Sequence, residues 1–285
     1  MSTGSGGTAG STALLDGRVA IVTGGAGGIG EGISAALARH GASVAVVDID
    51  ADRATAVADA ILGAGGRSTA IVDDVLRDGA AAEIVERTVA AFGGVDILVN
   101  NVGHYLHGGR PFHQSTEEQW EALHDVNLRH VFRMSHAAIP AMIERGPGGS
   151  IINLTTVEAT RGIPRQTVYG AYKAAVAHFT RCLAVDLSEH GIRVNAIAPD
   201  VTQSLQLPYD QWLTEDDEVR IPRWVPLSRL GTPADGGGVA VFLAADLSAF
   251  VTGASIPVDG GTGVAGGWYR TQHGRAGWTN RPRDP

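Results

Sequence analysis

Arg18-Val19-Ala20-Ile21-Val22-Thr23-Gly24-Gly25-Ala26-Gly27-Gly28-Ile29-Gly30 is the stretch whose reading decides the fold. Its first half is a continuous apolar run with no polar alternation, the pattern of a strand buried on both faces. The run ends in Thr23-Gly24. A helical pattern follows, with Ile29, Ile33, Ala36 and Leu37 on one face, closed by Gly41 after Arg39 and His40. Strand, glycine-rich turn and helix in that order make a phosphate cradle. Glycines let the backbone approach a pyrophosphate, and the helix presents its positive N-terminal end. The next apolar run ends in Asp48, 18 residues after Gly30. A carboxylate at that distance accepts from the adenosine ribose hydroxyls and repels a 2′-phosphate. No basic residue stands in the glycine loop or directly after Asp48, so the cofactor expected is NAD rather than NADP. Gly24, Gly28, Ile29, Gly30 and Asp48 are the first cofactor-binding candidates. Asp74 and Val75, after the third strand, bound the adenine or form a plain turn.

Working outward, the same alternation continues. Strands are expected at 43–48, 69–73, 96–100, 150–154, 193–198 and 255–258, with helices at 51–62, 79–92, 168–190 and 233–245. One or two long helices fill 116–145, with Ser115-Thr116-Glu117-Glu118 as the cap. Apolar strands alternating with helices give an α/β fold, a single doubly wound (Rossmann-type) parallel sheet of about seven strands with helices on both faces. The domain is expected over 14–261, after a flexible lead-in at 1–13. Leu205, Leu207, Tyr209, Trp212, Ile221, Trp224 and Val225 break the periodicity of 205–227. That segment reads as a lid over a mostly apolar substrate, or as a surface excursion packed on its own aromatics.

Composition narrows the class. At 285 residues with 44% hydrophobic and 18% charged, the chain is an ordinary globular protein with room for a sizeable core. A net charge of −8 disfavours nucleic acid as a partner. One cysteine, Cys182, excludes an intrachain disulfide framework and a cysteine-based zinc site, and fits a reducing, cytoplasmic compartment. No apolar run reaches membrane-span length, and the start lacks the basic region of a secretory signal. No spacing of His, Asp or Glu suggests a metal.

One further stretch carries chemistry: Tyr169-Gly170-Ala171-Tyr172-Lys173. Lys173 is the only lysine; the other 21 of the 22 basic residues are arginines. On a helix, positions four apart share a face, so the ammonium reaches the phenol. A cation about 5 Å away at an effective dielectric near 20 favours the phenolate by roughly 3 kcal/mol, about two pKa units. The pair is therefore expected to be an acid/base with a lowered tyrosine pKa.

Taken with Asn100-Asn101-Val102-Gly103 and with Asn127 in Asp125-Val126-Asn127-Leu128, these motifs resemble the short-chain dehydrogenase/reductase family from about Gly17 to Gly261. Arg193-Val194-Asn195, Pro226 to Pro233 and Val258-Asp259-Gly260-Gly261 match as well. The resemblance implies Tyr169 as the acid/base at the substrate oxygen and Lys173 on the nicotinamide ribose. Asn127 would place a water linking Lys173 to solvent. It implies a hydroxyl 13 residues before the tyrosine, and Thr156 stands there in place of the usual serine. Asn101, Gly103, Pro199, Thr202 and Ser204 fall on cofactor positions, with Ser204 in place of a threonine that faces the carboxamide and Val102 in place of an alanine. Asp200 replaces a common glycine and either affects the nicotinamide pocket or points to solvent. Glu158 and Arg161 either read a polar group on the substrate or pair at the surface. His104, Tyr105 and His107 line the pocket or are structural. The tail at 262–285 packs on a neighbouring subunit, closes a pocket or frays.

The function expected is an NAD-dependent oxidoreductase interconverting a secondary alcohol and a ketone on an apolar, cyclic, steroid- or terpenoid-like substrate. The family also implies a homotetramer or homodimer built on the 116–145 and 168–190 helices. A 3-oxoacyl-thioester reductase and a non-catalytic NAD-binding regulatory protein are the alternatives.

Overall fold

The computed structural model describes residues 13–106 and 109–267, and the backbone of 269–270 and 278–279. Strands and helices alternate: β1 (Val19–Thr23), α1 (Gly28–Arg39), β2 (Ser43–Asp48), α2 (Ala51–Gly63), β3 (Arg67–Val72), α3 (Ala80–Phe92) and β4 (Ile97–Asn100). Then come α4 (Glu117–His124), a π-helical turn (Asp125–Arg129) and α5 (His130–Arg145), followed by β5 (Ser150–Leu154), α6 (Thr167–Asp186) and β6 (Arg193–Pro199). The chain continues through α7 (Tyr209–Trp212), α8 (Glu215–Trp224), α9 (Pro233–Ala244), β7 (Ser255–Val258) and α10 (Thr262–Ala265).

Seven strands lie in the order β3-β2-β1-β4-β5-β6-β7, every pair parallel. β1 and β2 are wholly buried apart from Asp48, which is why both read as unbroken apolar runs. One core packs β1, β2 and β4 against α1, α2 and α9; another packs the opposite face against α3, α5 and α6. α1 and α9 touch through glycines: a Cβ on Gly32 would lie 2.2 Å from Pro233 O. Strand order reverses between β1 and β4, the first half of the chain building outward to β3 and the second to β7, and a parallel sheet opens a crevice at that switch point.

The 116–145 segment is two helices, α4 and α5, separated by the π turn at Asp125–Arg129. Within the expected cap the capping residue is Thr116, which closes a reciprocal capping box with Gln119. The lead-in lies outside the described residues except for Ala13. The tail is described only at 262–267 and along two short strands, Tyr269–Arg270 and Trp278–Thr279. Among the described residues, no helix is long and apolar enough to cross a membrane.

Candidate active site

At the switch point the carboxyl ends of the strands line a cavity of about 620 Å³. Its two ends have different chemistry. At one end the glycine turn after β1 meets the acid that ends β2. Gly24 and Gly28 have φ of +59° and +54°, the left-handed region that side chains disfavour. The Asp48 carboxylate accepts from the backbone N–H of Ala26 at 3.2 Å and of Asp50 at 3.1 Å, which aims it across the turn. Ile29, Asp74 and Val75 also line this end. Asp74 accepts from Leu76 N–H at 2.9 Å, the plain turn weighed for it, while remaining on the wall.

Gly30 does not line the cavity. A Cβ there would lie 2.0 Å from Gly24 O, so this glycine lets α1 pack against its own loop. Asn101 lines the cavity, but its amide is spent on the loop, donating to Thr23 O at 3.1 Å and Gly24 O at 3.0 Å.

At the other end stand Thr156, Tyr169 and Lys173, all buried. α6 carries Tyr169 and Lys173 on one face, and the ammonium lies 5.9 Å from the tyrosine ring centre. Lys173 Nζ donates to Leu154 O at 3.0 Å, at the end of β5. Gly103 makes room for it, since a Cβ there would lie 2.7 Å from Nζ and 3.2 Å from Asn127 Oδ1. Asn127 sits behind the wall in the π turn. Its amide donates to Leu123 O and His104 O, and its oxygen accepts from His104 N–H, so it clasps the turn after β4. The π turn re-aims this one side chain out of helical register, a device that spacing alone does not reveal.

The electrostatics reverse one expectation. Burial raises the Tyr169 pKa well above its ordinary value, the nearby phenol of Tyr105 and the Glu158 carboxylate add to the rise, and only the Thr156 hydroxyl opposes it. The expected lowering by Lys173 is outweighed because desolvation disfavours the phenolate more than a lysine beyond hydrogen-bonding reach favours it. Burial also pushes Lys173 down, to about 8. Tyr105 packs on Tyr169, with ring centres 4.4 Å apart. The Thr156 hydroxyl donates to Pro199 O at 3.2 Å and accepts from Glu158 N–H at 3.3 Å, so it must turn to serve a ligand. Thr155 points into the core and donates to Ile197 O.

Residues left open by the sequence find places here. Arg161 bridges Glu158 at 2.9 Å and Asp200 at 2.7 Å. Glu158 and Asp200 face the cavity, so Asp200 points neither freely to solvent nor alone at the nicotinamide end. Thr262 also donates to Asp200, tying the segment after β7 to the end of β6. His104 is held by Asn127, Tyr105 lines the cavity, and His107 lies outside the described residues.

The 205–227 segment divides. Ser204 and Leu205 lie on the glycine turn: a Cβ on Gly28 would meet Ser204 Cβ at 3.1 Å, and one on Gly27 would meet Leu205 Cδ1. Gln206 donates to Gly103 O and accepts from Tyr105 N–H, crossing to the other end. Leu207 and Tyr209 line the cavity, while Ile221 and Val225 pack on Val201 in a separate small core. The first part of the segment therefore lines the cavity, and the second packs on aliphatic side chains rather than on its own aromatics. Gln206 was not foreseen, because a lone glutamine in an irregular segment carries no pattern. Pro199, Thr202 and Ser204 complete the wall, Thr202 with its hydroxyl donated to Asp200 O at 2.7 Å.

Glycines that a side chain would block, a carboxylate aimed at one end and a cavity of this size fit a dinucleotide. Among the described residues, no cluster suits a metal ion.

Residues 24–263 match the family model described as enoyl-(acyl carrier protein) reductase. The chain is 37% identical to galactitol 2-dehydrogenase of Agrobacterium fabrum, over 87% of this chain and 98% of that one. It is 35% identical to a 3-oxoacyl-[acyl-carrier-protein] reductase of Thermotoga maritima, with the same coverage of 87% and 98%. A 7α-hydroxysteroid dehydrogenase in complex with NADH and 7-oxo glycochenodeoxycholic acid superposes with a TM-score of 0.81 at 35% identity, over 88% of this chain and 96% of that one.

Proposed function

Because the chain belongs to the short-chain dehydrogenase/reductase family, whose oxidoreductases use a nicotinamide cofactor, we propose that it is an NAD-dependent enzyme interconverting a secondary alcohol and a ketone. One observation carries the reading. A single cavity has the glycine turn and Asp48 at one end and Thr156, Tyr169 and Lys173 at the other. Gly24, Gly28 and Ile29 would hold the pyrophosphate, Asp48 the adenosine ribose, and Asp74 and Val75 the adenine. Asn101, Gly103, Pro199, Thr202 and Ser204 would line the nicotinamide end.

The bound nicotinamide supplies or takes up the hydride. The chain's residues handle the proton and the charge. At neutral pH the buried Tyr169 is a phenol, the form that donates its proton to a ketone oxygen as that oxygen gains charge. Thr156, once turned from Pro199 O, is the second donor. Lys173 supplies a fixed positive charge beside the phenolate that forms, and Asn127 holds the turn that positions it.

Ile163, Val201, Leu207 and the rings of Tyr105 and Tyr209 line the same cavity, which suits an apolar, cyclic body of the steroid or terpenoid kind. Glu158 and Asp200 on the same wall favour a hydroxylated substrate and disfavour an anionic carrier, which weighs against a 3-oxoacyl thioester. We read 205–209 as the lid. Phe132 and Val185, exposed on α5 and α6, support a homodimer or homotetramer built on those helices. The single free thiol of Cys182 suits the cytoplasm.

The test is a screen of secondary alcohols, including a hydroxysteroid, a monoterpenol and galactitol, with NAD and NADP in parallel while NADH absorbance is followed. Turnover with NAD is expected, lost in Tyr169→Phe while NAD still binds. Wild-type turnover in that variant would sink the assignment of the base.

A further inference from the structure

Arg53 stands in the first turn of α2, and its side chain comes within reach of the glycine turn after β1. A chain of short contacts carries it there. The Asp48 carboxylate accepts from Ala26 N–H at 3.2 Å and from Asp50 N–H at 3.1 Å. Asp50 caps α2, its carboxylate accepting from the backbone N–H of Arg53 at 3.0 Å and from Arg53 Nε at 2.7 Å. Nη1 of the same guanidinium lies 4.0 Å from where a Cβ on Gly27 would stand. Gly27 adjoins Ala26, so these contacts close a ring around the end of the cavity where Asp48 lies. Spacing alone hides this cation, because Arg53 belongs neither to the glycine loop nor to the residues directly after Asp48.

The charges around that end are otherwise carboxylates. Asp48, Asp73 and Asp74 line the wall. Arg77 is spent on Asp73 at 3.1 Å and on Glu83 at 2.7 Å. Arg53 meets Asp50 through Nε, which leaves its Nη groups to another acceptor. Gly27 puts no side chain between the guanidinium and the turn, and Leu205 covers the turn from the lid side. An oxygen seated against Gly27 therefore comes within hydrogen-bonding reach of Nη1 after a small rotation of the arginine. The planar fork of a guanidinium matches two oxygens of a phosphate. A phosphate on the ribose 2′-oxygen would project from beside Asp48, which repels it, toward this ring of contacts, where Arg53 attracts it.

We propose that Arg53 is a specificity-determining residue of the cofactor site: its guanidinium, braced by Asp50, is a counter-charge for a 2′-phosphate, so that selectivity for NAD is carried by Asp48 against an arginine that favours NADP. The proposal rests on the reading of the cavity as a dinucleotide site, and it is measured by binding alone.

Adenosine 5′-phosphate and adenosine 2′,5′-bisphosphate differ only in the 2′-phosphate, and neither carries a nicotinamide. Isothermal titration of the full-length protein with each isolates the contact. In Arg53→Ala the ratio of Kd for the bisphosphate to Kd for the monophosphate is expected to rise at least about tenfold. Arg53→Lys, which keeps the charge and loses the fork, should recover part of that change. Asp48→Ala should tighten the bisphosphate at least about tenfold, and Asp48→Ala combined with Arg53→Ala should lose most of the gain. An unchanged ratio in Arg53→Ala overturns the proposal. So does equal weakening of both probes, which would assign the guanidinium to the 5′-phosphate. If Arg53→Ala does not fold, Arg53→Gln is read by the same criteria. Failure of every alcohol in the screen would refute the dehydrogenase reading and leave these titrations interpretable, whereas failure of both probes to bind any of the proteins would refute the dinucleotide site and this proposal with it.

Discussion

Gly103→Ala isolates one steric requirement of the site. A Cβ at that position would lie 2.7 Å from Lys173 Nζ, 3.4 Å from Lys173 Cε and 3.2 Å from Asn127 Oδ1. Contacts of this kind are comfortable near 3.5 Å, so something must retreat by about 0.8 Å. Two parts can move. The turn after β4 is clasped at the next residue, where Asn127 bonds both the N–H and the carbonyl of His104. The ammonium is held by one hydrogen bond to Leu154 O at 3.0 Å and ends a four-carbon chain. The lysine is the softer of the two. Its displacement by nearly 1 Å is expected to lower kcat about 100-fold, with unfolding free energy reduced by less than about 1 kcal/mol. If the turn moved instead, overpacking would destabilise the fold by roughly 1–3 kcal/mol and leave kcat closer to wild type. Steady-state kinetics on the best alcohol from the screen, with urea unfolding of the same preparations, separate the two outcomes. Wild-type kcat together with wild-type stability would refute the steric reasoning altogether.

Other perturbations give distinct signatures. Thr156→Val keeps the shape and removes the hydroxyl; kcat is expected to fall about 100- to 1,000-fold, and Thr156→Ser to retain most of it, measured as initial rates. Asp48→Ala removes the carboxylate aimed across the glycine turn, and the ratio of kcat/KM for NAD over NADP should fall at least about tenfold. Stability should depend on pH through Lys173. Its folded pKa, about 8, lies below the ordinary 10.5, so the unfolded chain binds more protons between those values and stability rises with pH across that window. Below pH 8 the lysine's deficit is constant, on the order of 3 kcal/mol. Tyr169 acts in the opposite sense: its raised pKa keeps the proton after the unfolded phenol has lost its own, so its contribution falls as pH passes 10. Urea unfolding from pH 7 to 10 should show the rise in wild type and a flatter profile in Lys173→Met; identical slopes would contradict it.

The sheet was legible because periodicity reports burial. β1 and β2 are buried on both faces and read as apolar runs, while β5 and β6 are as buried but carry Asn153 and Asn195 within them. The glycine turn was legible because an acid stood at the right distance after it. Gly30 was misjudged, since spacing cannot tell a glycine that admits a ligand from one that admits a neighbouring carbonyl. The Tyr169–Lys173 pair was visible as helical spacing, but the direction of the tyrosine shift was not. The sign depends on how much water the fold removes, and that is set by Tyr105 and by the chain covering the cavity.

What stayed hidden has a common physical cause. Asp200 could not be placed from its own segment because its partners come from two others, Arg161 from the loop after β5 and Thr262 from beyond β7. The same residue precedes Val201, which has a φ of +35°, uncommon for a side chain and hardest for a β-branched one. The Asp200 carboxylate accepts from the Val201 N–H at 2.9 Å, so the bend, the ion pair and the cavity wall are held by one group. The π turn that aims Asn127 and the lone buried lysine lie nearby, each a local rule broken within reach of the same cavity. Local rules are broken stably only where surrounding structure compensates, and compensation from several elements is invisible to any window of sequence. The Arg161 bridge is therefore a structural tie before it is a means of reading substrate. Its removal should loosen the bend at Val201, and with it the wall formed by Thr202 and Ser204, so Arg161→Ala is expected to raise KM for NAD along with KM for the alcohol. An effect on the alcohol alone would make Arg161 a reader of substrate instead.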